Sequence, residues 1–172
     1  SVVHNGIIEN YLELKNNQLS KGYNFTSETD TEVIAHAIDF AMKSCDDLLS
    51  SVQKALKSLK GSYGLGIIST KFPSQIIAAR KGSPLVIGIG KNGNYIASDP
   101  MALLPVTKKF IFLEDGDIAE INIKKITIYD QDGKVADRPI KISTLKAGQM
   151  TKGPYDHFMQ KEIFEQPQAI RD

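Results

Sequence analysis

Several residue types that mark particular functions are scarce in this sequence. A single cysteine, Cys45, excludes a disulfide framework and a cysteine-based metal cluster. The 21 Lys and Arg residues balance 20 Asp and Glu residues, so no charge excess favours binding to a nucleic acid or an anionic membrane. No apolar stretch approaches the roughly 20 residues that a membrane-spanning helix needs. We therefore expect a cytoplasmic protein from a reducing compartment, with no nucleic-acid or membrane partner.

The remaining composition is that of an ordinary globular protein, with 172 residues of which 41% are hydrophobic and 24% charged. This length is sufficient for one domain with a sizeable core. The three histidines, His4, His36 and His157, lie too far apart in the sequence to suggest a metal triad, and we expect neither a metal nor a cofactor. The chain starts with Ser1 inside a strand-like segment, so we expect a fragment or a chain from which upstream residues were removed.

The first 60 residues have the apolar spacing of three helices. The first should follow His4-Asn5-Gly6 directly and end at Gly22, which is a typical C-terminal stop. The second follows the segment SETDTEV, in which Thr29 or Asp30 is placed to cap the helix. The third should begin after Asp46-Asp47. The apolar positions assigned to the first helix are Ile7, Ile8, Tyr11, Leu12, Leu14 and Leu19.

From residue 63 onward the apolar runs are short and separated by Gly, Pro and Asn, which is typical of strands joined by tight turns. Most connections are too short for a helix, so antiparallel pairing is favoured. Helices first and hairpin-linked strands later predict an α+β fold. The expected strands cover 63–69, 75–80, 85–89, 95–98, 109–113, 117–123, 125–129 and a weak one near Ile140, with a short helix over 99–104.

The last 30 residues have a different character. Residues 144–154 are polar, contain glycine and show little periodicity, so we expect a linker or surface excursion there. A helical pattern follows, and Pro167 should break or restart that helix. The apolar face of the helix consists of Phe158, Met159, Ile163 and Phe164.

The segment Asn5-Gly6 has two interpretations. Asn-Gly is a common turn dipeptide, and its spacing alone favours a turn between a strand and a helix. The alternative is an oxyanion hole, in which the Asn5 carboxamide and a backbone N–H converge on one developing negative oxygen. Glycine at position 6 permits the close backbone approach that such a site requires.

Asp30 also has a structural and a functional interpretation. A carboxylate just before a helix usually caps that helix, with Glu32 placed for a first-turn interaction, and position alone favours this cap. The functional alternative is that Asp30 presents a fixed carboxylate to the ammonium group of a ligand.

Three other motifs lack the pattern that their chemistry requires. No helix follows Gly88-Ile89-Gly90, and its spacing is not that of a phosphate loop, so we interpret these glycines as part of a hairpin. Asp130-Gln131-Asp132-Gly133 starts like a calcium loop, but the closing glutamate would fall at Lys141. Cys45 follows a helix and precedes two aspartates, which disfavours a reactive thiolate.

Taken together, the segments HNGIIENY, SETDTEVIAH, RKGSPLVIGIG, IASDPMALL, FIFLEDGDIAEI and HFMQKEIFEQPQAI resemble, in order and spacing, the glucosamine-6-phosphate synthase family. This family belongs to the glutamine amidotransferases with an N-terminal nucleophile, in which the first two motifs are more widespread. The resemblance covers essentially the whole chain, and HFMQKEIFEQP is its most specific part.

The resemblance implies a partial four-layer α-β-β-α fold with two stacked antiparallel sheets. It implies that Asn5 and Gly6 form the oxyanion hole and that Asp30 binds the amino group of glutamine. Residues 1–143 would form the C-terminal part of a glutaminase domain, and 144–172 a linker and the first helix towards a sugar isomerase domain. The implied activity is glutamine hydrolysis that supplies ammonia for making glucosamine 6-phosphate from fructose 6-phosphate, in a homodimeric parent enzyme.

The family's nucleophile is an N-terminal cysteine whose α-amine acts as base, and no such residue occurs in this sequence. We therefore expect that this chain alone does not hydrolyse glutamine. Two alternatives stay open. One is another amidotransferase, such as amidophosphoribosyltransferase, which HFMQKEIFEQP argues against. The other is a non-catalytic ligand-binding domain, which the missing nucleophile favours.

Overall fold

The chain forms two antiparallel sheets with helices against one of them, followed by a C-terminal helix. A computed structural model describes residues 1–144 and 152–171, so the linker expected over 144–154 lies largely outside the described residues. The elements in chain order are β1 (Val2–Ile8), α1 (Tyr11–Ser20), α2 (Glu32–Met42), α3 (Leu48–Leu56), β2 (Gly61–Ser69), β3 (Phe72–Lys81), β4 (Val86–Ile89), β5 (Asn94–Ala97), a 3-10 helix (Pro100–Leu103), β6 (Lys109–Phe112), β7 (Ile118–Ile121), β8 (Ile126–Tyr129), β9 (Val135–Ala136), β10 (Ile140–Ile142) and α4 (Phe158–Arg171).

Short connections determine how the strands pair. The six-stranded sheet has the order β1-β2-β3-β7-β8-β9, and the four-stranded sheet has the order β10-β6-β4-β5. All of these neighbours are antiparallel, as expected for strands joined mostly by tight turns. The α+β prediction is confirmed. The short strand β9 was not predicted, because two residues carry too little pattern.

Alternating side chains divide the molecule into layers. In β3, Ile77 and Ala79 belong to the core beneath α1–α3, whereas Ala78 between them belongs to the core between the two sheets. In β6, Ile111 faces the other sheet, and Phe110 packs against the 3-10 helix. The stacked sheets and one helical layer of the predicted four-layer fold are present. On the outer face of the four-stranded sheet, the described residues supply only the 3-10 helix.

The largest correction concerns the start of the chain. The predicted turn at Asn5-Gly6 and the helix from Ile7 are wrong, because β1 continues through both and pairs with β2 in unbroken register up to Ile8. Ile7 and Ile8 therefore point to opposite faces, and their side chains are 65% and 0% exposed. The helix begins only at Tyr11. Its expected end is confirmed, since Gly22 has φ +85° after the last turn.

The expected break at Pro167 is also wrong, because α4 continues through this residue. A proline inside a helix leaves one carbonyl of the preceding turn without a donor. The side chains of α4 are largely exposed, so water can reach that carbonyl. No helix in the described ranges is both long and apolar enough to cross a membrane.

A buried ion pair ties the chain after β9 to the six-stranded sheet. The Asp117 side chain is 1% exposed, and its carboxylate accepts hydrogen bonds from Arg138 Nε and Nη2, both at 2.9 Å. It also accepts the backbone N–H of Glu114 at 2.7 Å. The bond to Asp117 raises the pKa of the Arg138 guanidinium above its ordinary value. The pair therefore fixes the segment that leads to β10.

We predict that Arg138→Met lowers the free energy of unfolding several times more than loss of an exposed ion pair does, because the buried Asp117 carboxylate loses its cation. Urea denaturation followed by circular dichroism measures this change. Lys134→Met is the matched control, since Lys134 pairs with Asp132 on the exposed surface and such pairs contribute under about 1 kcal/mol. Equal losses in the two variants would contradict the prediction.

Candidate active site

The free edge of β1 carries the first part of the candidate site. Among residues 1–144 and 152–171, β1 is the terminal strand of its sheet and pairs with β2 alone. In an antiparallel pair, N–H groups of successive residues point alternately to the partner strand and to the free edge. The Ile8 N–H donates to Asp30 Oδ2 at 2.7 Å and therefore points away from β2. Because the register is unbroken, the Gly6 N–H two residues earlier points to the same free edge.

Asn5 lies beside this N–H group. Its side chain lies on the same face of β1 as those of Val3 and Ile7, and all three residues are exposed. Consecutive residues thus place a carboxamide and a backbone N–H at one exposed position of the strand. The oxyanion interpretation of Asn5-Gly6 requires in addition that the two donors converge on one point, and it stays a prediction.

The backbone at Gly6 explains why no larger residue fits there. Its φ of +141° lies in a region that residues with a side chain rarely adopt. A Cβ atom at this position would lie 2.1 Å from the carbonyl oxygen of Ser62 on β2. The glycine is therefore required by the close approach of the two strands, and not by a turn.

Asp30 comes from the connection between α1 and α2 and reaches the same edge. Its side chain is 25% exposed, and Oδ1 lies 3.5 Å from the Thr31 hydroxyl, which donates to it. The expected capping of α2 by Thr29 or Asp30 is wrong, since Thr31 occupies the cap position and no side chain bonds the first turn there. The Asp30 carboxylate instead bonds backbone 22 residues away in sequence.

Glu32 holds the loop that leads to Asp30. Its carboxylate accepts the backbone N–H groups of Ser27 at 2.7 Å and Thr26 at 2.9 Å, and also both hydroxyls of these residues. These bonds, led by that of the Ser27 hydroxyl, lower the pKa of Glu32 from 4.5 to about 2. Glu32 lies in the first turn of α2, as expected, but these bonds go to the preceding loop and not to the helix.

His4 is a residue of this site that the sequence analysis considered only as a metal ligand. Its side chain is 2% exposed, and Nδ1 lies 3.1 Å from Thr31 Oγ1. Strand alternation was the signal that could have revealed it, because His4 shares the inward face of β1 with Ile8. His36 lies apart from it, between the rings of Tyr23 and Phe25.

The two motifs that lack the pattern of a phosphate loop and of a calcium loop have structural roles. The glycines from Gly88 to Gly90 belong to the β4–β5 hairpin, as predicted. Asp130 begins a tight turn, in which its Oδ1 accepts the N–H groups of Asp132 and Lys134, both at 2.9 Å. Within residues 1–144 and 152–171, no three His, Cys, Asp or Glu side chains are grouped as a metal site would need.

The fold and the sequence are those of a glutamine amidotransferase domain. The family model with that description matches residues 1–105, so the chain belongs to the glutamine amidotransferase domain family. The resemblance inferred from sequence is thereby confirmed.

Several relatives share about half of their aligned residues with this chain. Glutamine–fructose-6-phosphate aminotransferase [isomerizing] of Haemophilus influenzae is 53% identical over 170 residues, which cover 99% of this chain and 28% of the relative. The Acinetobacter baylyi protein of the same name is 52% identical over 171 residues, which cover 99% of this chain and 28% of that relative. The chain thus spans about 28% of the length of these relatives.

Among solved structures, glutamine phosphoribosylpyrophosphate amidotransferase from B. subtilis, complexed with ADP and GMP, has the same fold. Its TM-score is 0.65 at 26% sequence identity, and the match covers 78% of this chain and 29% of that chain. This similarity supports the α+β fold of stacked antiparallel sheets.

We predict that Glu32 makes stability depend on pH. Its pKa is lower in the folded protein than the ordinary 4.5, so its stabilising contribution is complete above about pH 5. The contribution is lost as the pH falls from about 4.5 to about 2. The free energy of unfolding of the wild type should therefore fall more steeply over this range than that of Glu32→Gln. Glu28→Gln, in the same loop and exposed, is the control and should retain the wild-type slope.

We predict that Gly6→Ala destabilises the fold by about 2–5 kcal/mol, because it adds backbone strain and a collision with Ser62. Gly22→Ala separates the two effects, since Gly22 also has a positive φ, of +85°, but no atom lies within 4 Å of an added Cβ. This control should lose only about 1–2 kcal/mol in the same urea titration. A loss at Gly6 no greater than that at Gly22 would refute the strand-contact argument.

Proposed function

We propose that this chain supplies the oxyanion hole and the glutamine-binding carboxylate of a longer glutamine-dependent aminotransferase. One observation carries the proposal: the Gly6 N–H and the Asp30-bound Ile8 N–H share the free edge of β1. Two residues of a strand span about 7 Å. An extended amino acid the size of glutamine could thus contact Asp30 at its ammonium end and the Asn5-Gly6 donors at its amide end.

Each of these groups has a distinct task in the proposed reaction. Attack on the glutamine amide carbon places negative charge on the amide oxygen, which the Asn5 carboxamide and the Gly6 N–H would stabilise. The Asp30 carboxylate would hold the α-ammonium by a charge-assisted hydrogen bond. Strand pairing fixes the Gly6 N–H, and the bond to Ile8 fixes the Asp30 carboxylate, so these two groups need little reorganisation when charge develops.

The nucleophile would come from outside these 172 residues. In the mechanism that the resemblance implies, an N-terminal cysteine thiolate forms a bond to the amide carbon, and the tetrahedral intermediate expels ammonia once its nitrogen is protonated. Water then hydrolyses the thioester to glutamate. Cys45 is a poor substitute, because it lies in the connection between α2 and α3 and not on β1.

The names of the relatives suggest where the ammonia is used. Glutamine–fructose-6-phosphate aminotransferase [isomerizing] is the printed name of the relatives at 49–53% identity. We propose that fructose 6-phosphate is the acceptor, bound by a sugar isomerase domain beyond Asp172, and that glucosamine 6-phosphate is the product. The division into residues 1–143 and 144–172, and assembly of the parent enzyme as a homodimer, stay predictions.

A second candidate is amidophosphoribosyltransferase, which the fold similarity to the B. subtilis enzyme supports. Its sequence identity of 26% is about half that of the aminotransferases. Incubating the complete protein with glutamine and either fructose 6-phosphate or phosphoribosyl pyrophosphate separates the two. Amino-sugar formation supports the first candidate, phosphoribosylamine formation the second, and no product with either would favour a non-catalytic ligand-binding domain.

We predict that Asn5→Ala in the complete protein lowers kcat for glutamine hydrolysis by about 10²–10³, since one oxyanion donor is lost. KM for glutamine should change little, because this donor acts mainly in the transition state. Glutamate release in a coupled assay measures both constants. Asn16→Ala on the exposed surface of α1 is the control, with no expected effect. A kcat unchanged by Asn5→Ala would remove Asn5 from the mechanism.

A further inference from the structure

His4 joins β1 to the amino end of α2 through a side chain that solvent hardly reaches. Its Nδ1 lies 3.1 Å from Thr31 Oγ1 and 3.8 Å from Asp30 Oδ1. Thr31 sits at the cap position of α2, yet its hydroxyl does not bond the first turn of the helix. Its contacts are with His4 on one side and Asp30 on the other.

The chemistry of the three groups sets the direction of these bonds. A carboxylate can only accept, so the Thr31 hydroxyl hydrogen points to Asp30 Oδ1. With its hydrogen in that bond, the Thr31 oxygen accepts, and we assign His4 the Nδ1–H tautomer, which donates to it. The result is a chain of two hydrogen bonds that runs from His4 through Thr31 to Asp30.

Stability alone does not explain a histidine at this position. With Nδ1 as the donor, the other ring nitrogen, Nε2, carries a lone pair, and it is buried with no hydrogen-bond partner among the described residues. A buried polar atom without a partner is unfavourable, and an apolar side chain on the inward face of β1 would avoid it. The contribution of the His4 ring therefore comes from the hydrogen bond of Nδ1 to Thr31, which in turn bonds Asp30.

We propose that His4 is a positioning residue, which acts through the Thr31 hydroxyl to hold the Asp30 carboxylate in the orientation that receives the substrate ammonium group. The Ile8 N–H fixes Oδ2 at 2.7 Å, and the His4–Thr31 chain fixes Oδ1. Two anchors define the plane of a carboxylate, whereas one leaves it free to rotate. The inference rests on the proposed function, in which Asp30 binds the α-ammonium of glutamine.

The test compares two substrates of the complete protein that differ only in the ammonium group. Glutamine carries it, and 4-carbamoylbutanoate does not. The ratio of their kcat/KM values measures how well Asp30 recognises the ammonium, and a general loss of folded enzyme leaves this ratio unchanged. Asp30→Asn is the reference variant and should lower the ratio strongly.

Two matched pairs of variants examine the chain itself. Thr31→Val keeps the shape and removes the hydroxyl, and His4→Leu removes the Nδ1 donor; each should lower the ratio about tenfold, the usual effect of one hydrogen bond, mainly through KM for glutamine. Thr31→Ser keeps the hydroxyl, and His4→Asn keeps a donor at the δ position, so both should retain most of the wild-type ratio.

The outcomes distinguish this inference from the proposed function. If Asp30→Asn lowers the ratio while Thr31→Val and His4→Leu do not, the positioning role is refuted and the role of Asp30 stands. If Asp30→Asn also leaves the ratio unchanged, Asp30 does not bind the ammonium, and both proposals fail at this residue. Should His4→Leu not fold, Thr31→Val alone decides, because its side chain has the same shape.

Discussion

An edge strand presents backbone N–H groups that no neighbouring strand bonds, and the candidate site is built on this property of β1. The bond from the Ile8 N–H to Asp30 uses one such group to fix a carboxylate. The Gly6 N–H points to the same edge, where the proposed function places the amide oxygen of glutamine. The pairing of β1 with β2 sets the spacing between the Ile8 and Gly6 N–H groups. The positions of these donors therefore depend on the register of the sheet and not on side-chain rotamers.

The connection between α1 and α2 is ordered by two partly buried carboxylates that accept backbone N–H groups. The Glu32 carboxylate accepts hydrogen bonds from the N–H groups of Thr26 and Ser27, just before Asp30. The Asp30 carboxylate accepts the N–H group of Ile8 on β1. Each such bond fixes loop backbone during folding, so the entropic cost of ordering the loop is met before a substrate binds. Catalytic electrostatics depends on donors and carboxylates that are already in place when charge develops.

The sequence predicts the antiparallel sheets, the C-terminal end of α1 and the apolar stripe of α2, because these follow from local period and turn chemistry. It does not predict the strand through Asn5-Gly6. There the turn preference of Asn-Gly is overridden by pairing with β2, which lies more than 50 residues further along the chain. The two adjacent isoleucines that follow fit a helix or a strand equally well. Position alone favours a capping role for Asp30 for the same reason, since local sequence does not reveal its bond to the Ile8 N–H.

The glycine at position 6 shows how structural and functional demands meet in one residue. A side chain there would collide with Ser62 and separate β1 from β2, and the N–H of the same residue is the proposed oxyanion donor. Any change that relaxed the collision would also move that N–H group and Asn5 beside it. Since a displacement of about 1 Å costs an active site much of its rate, close strand contact is itself a condition for the proposed chemistry. The tight packing at Gly6 is therefore the means by which the sheet aligns the donor.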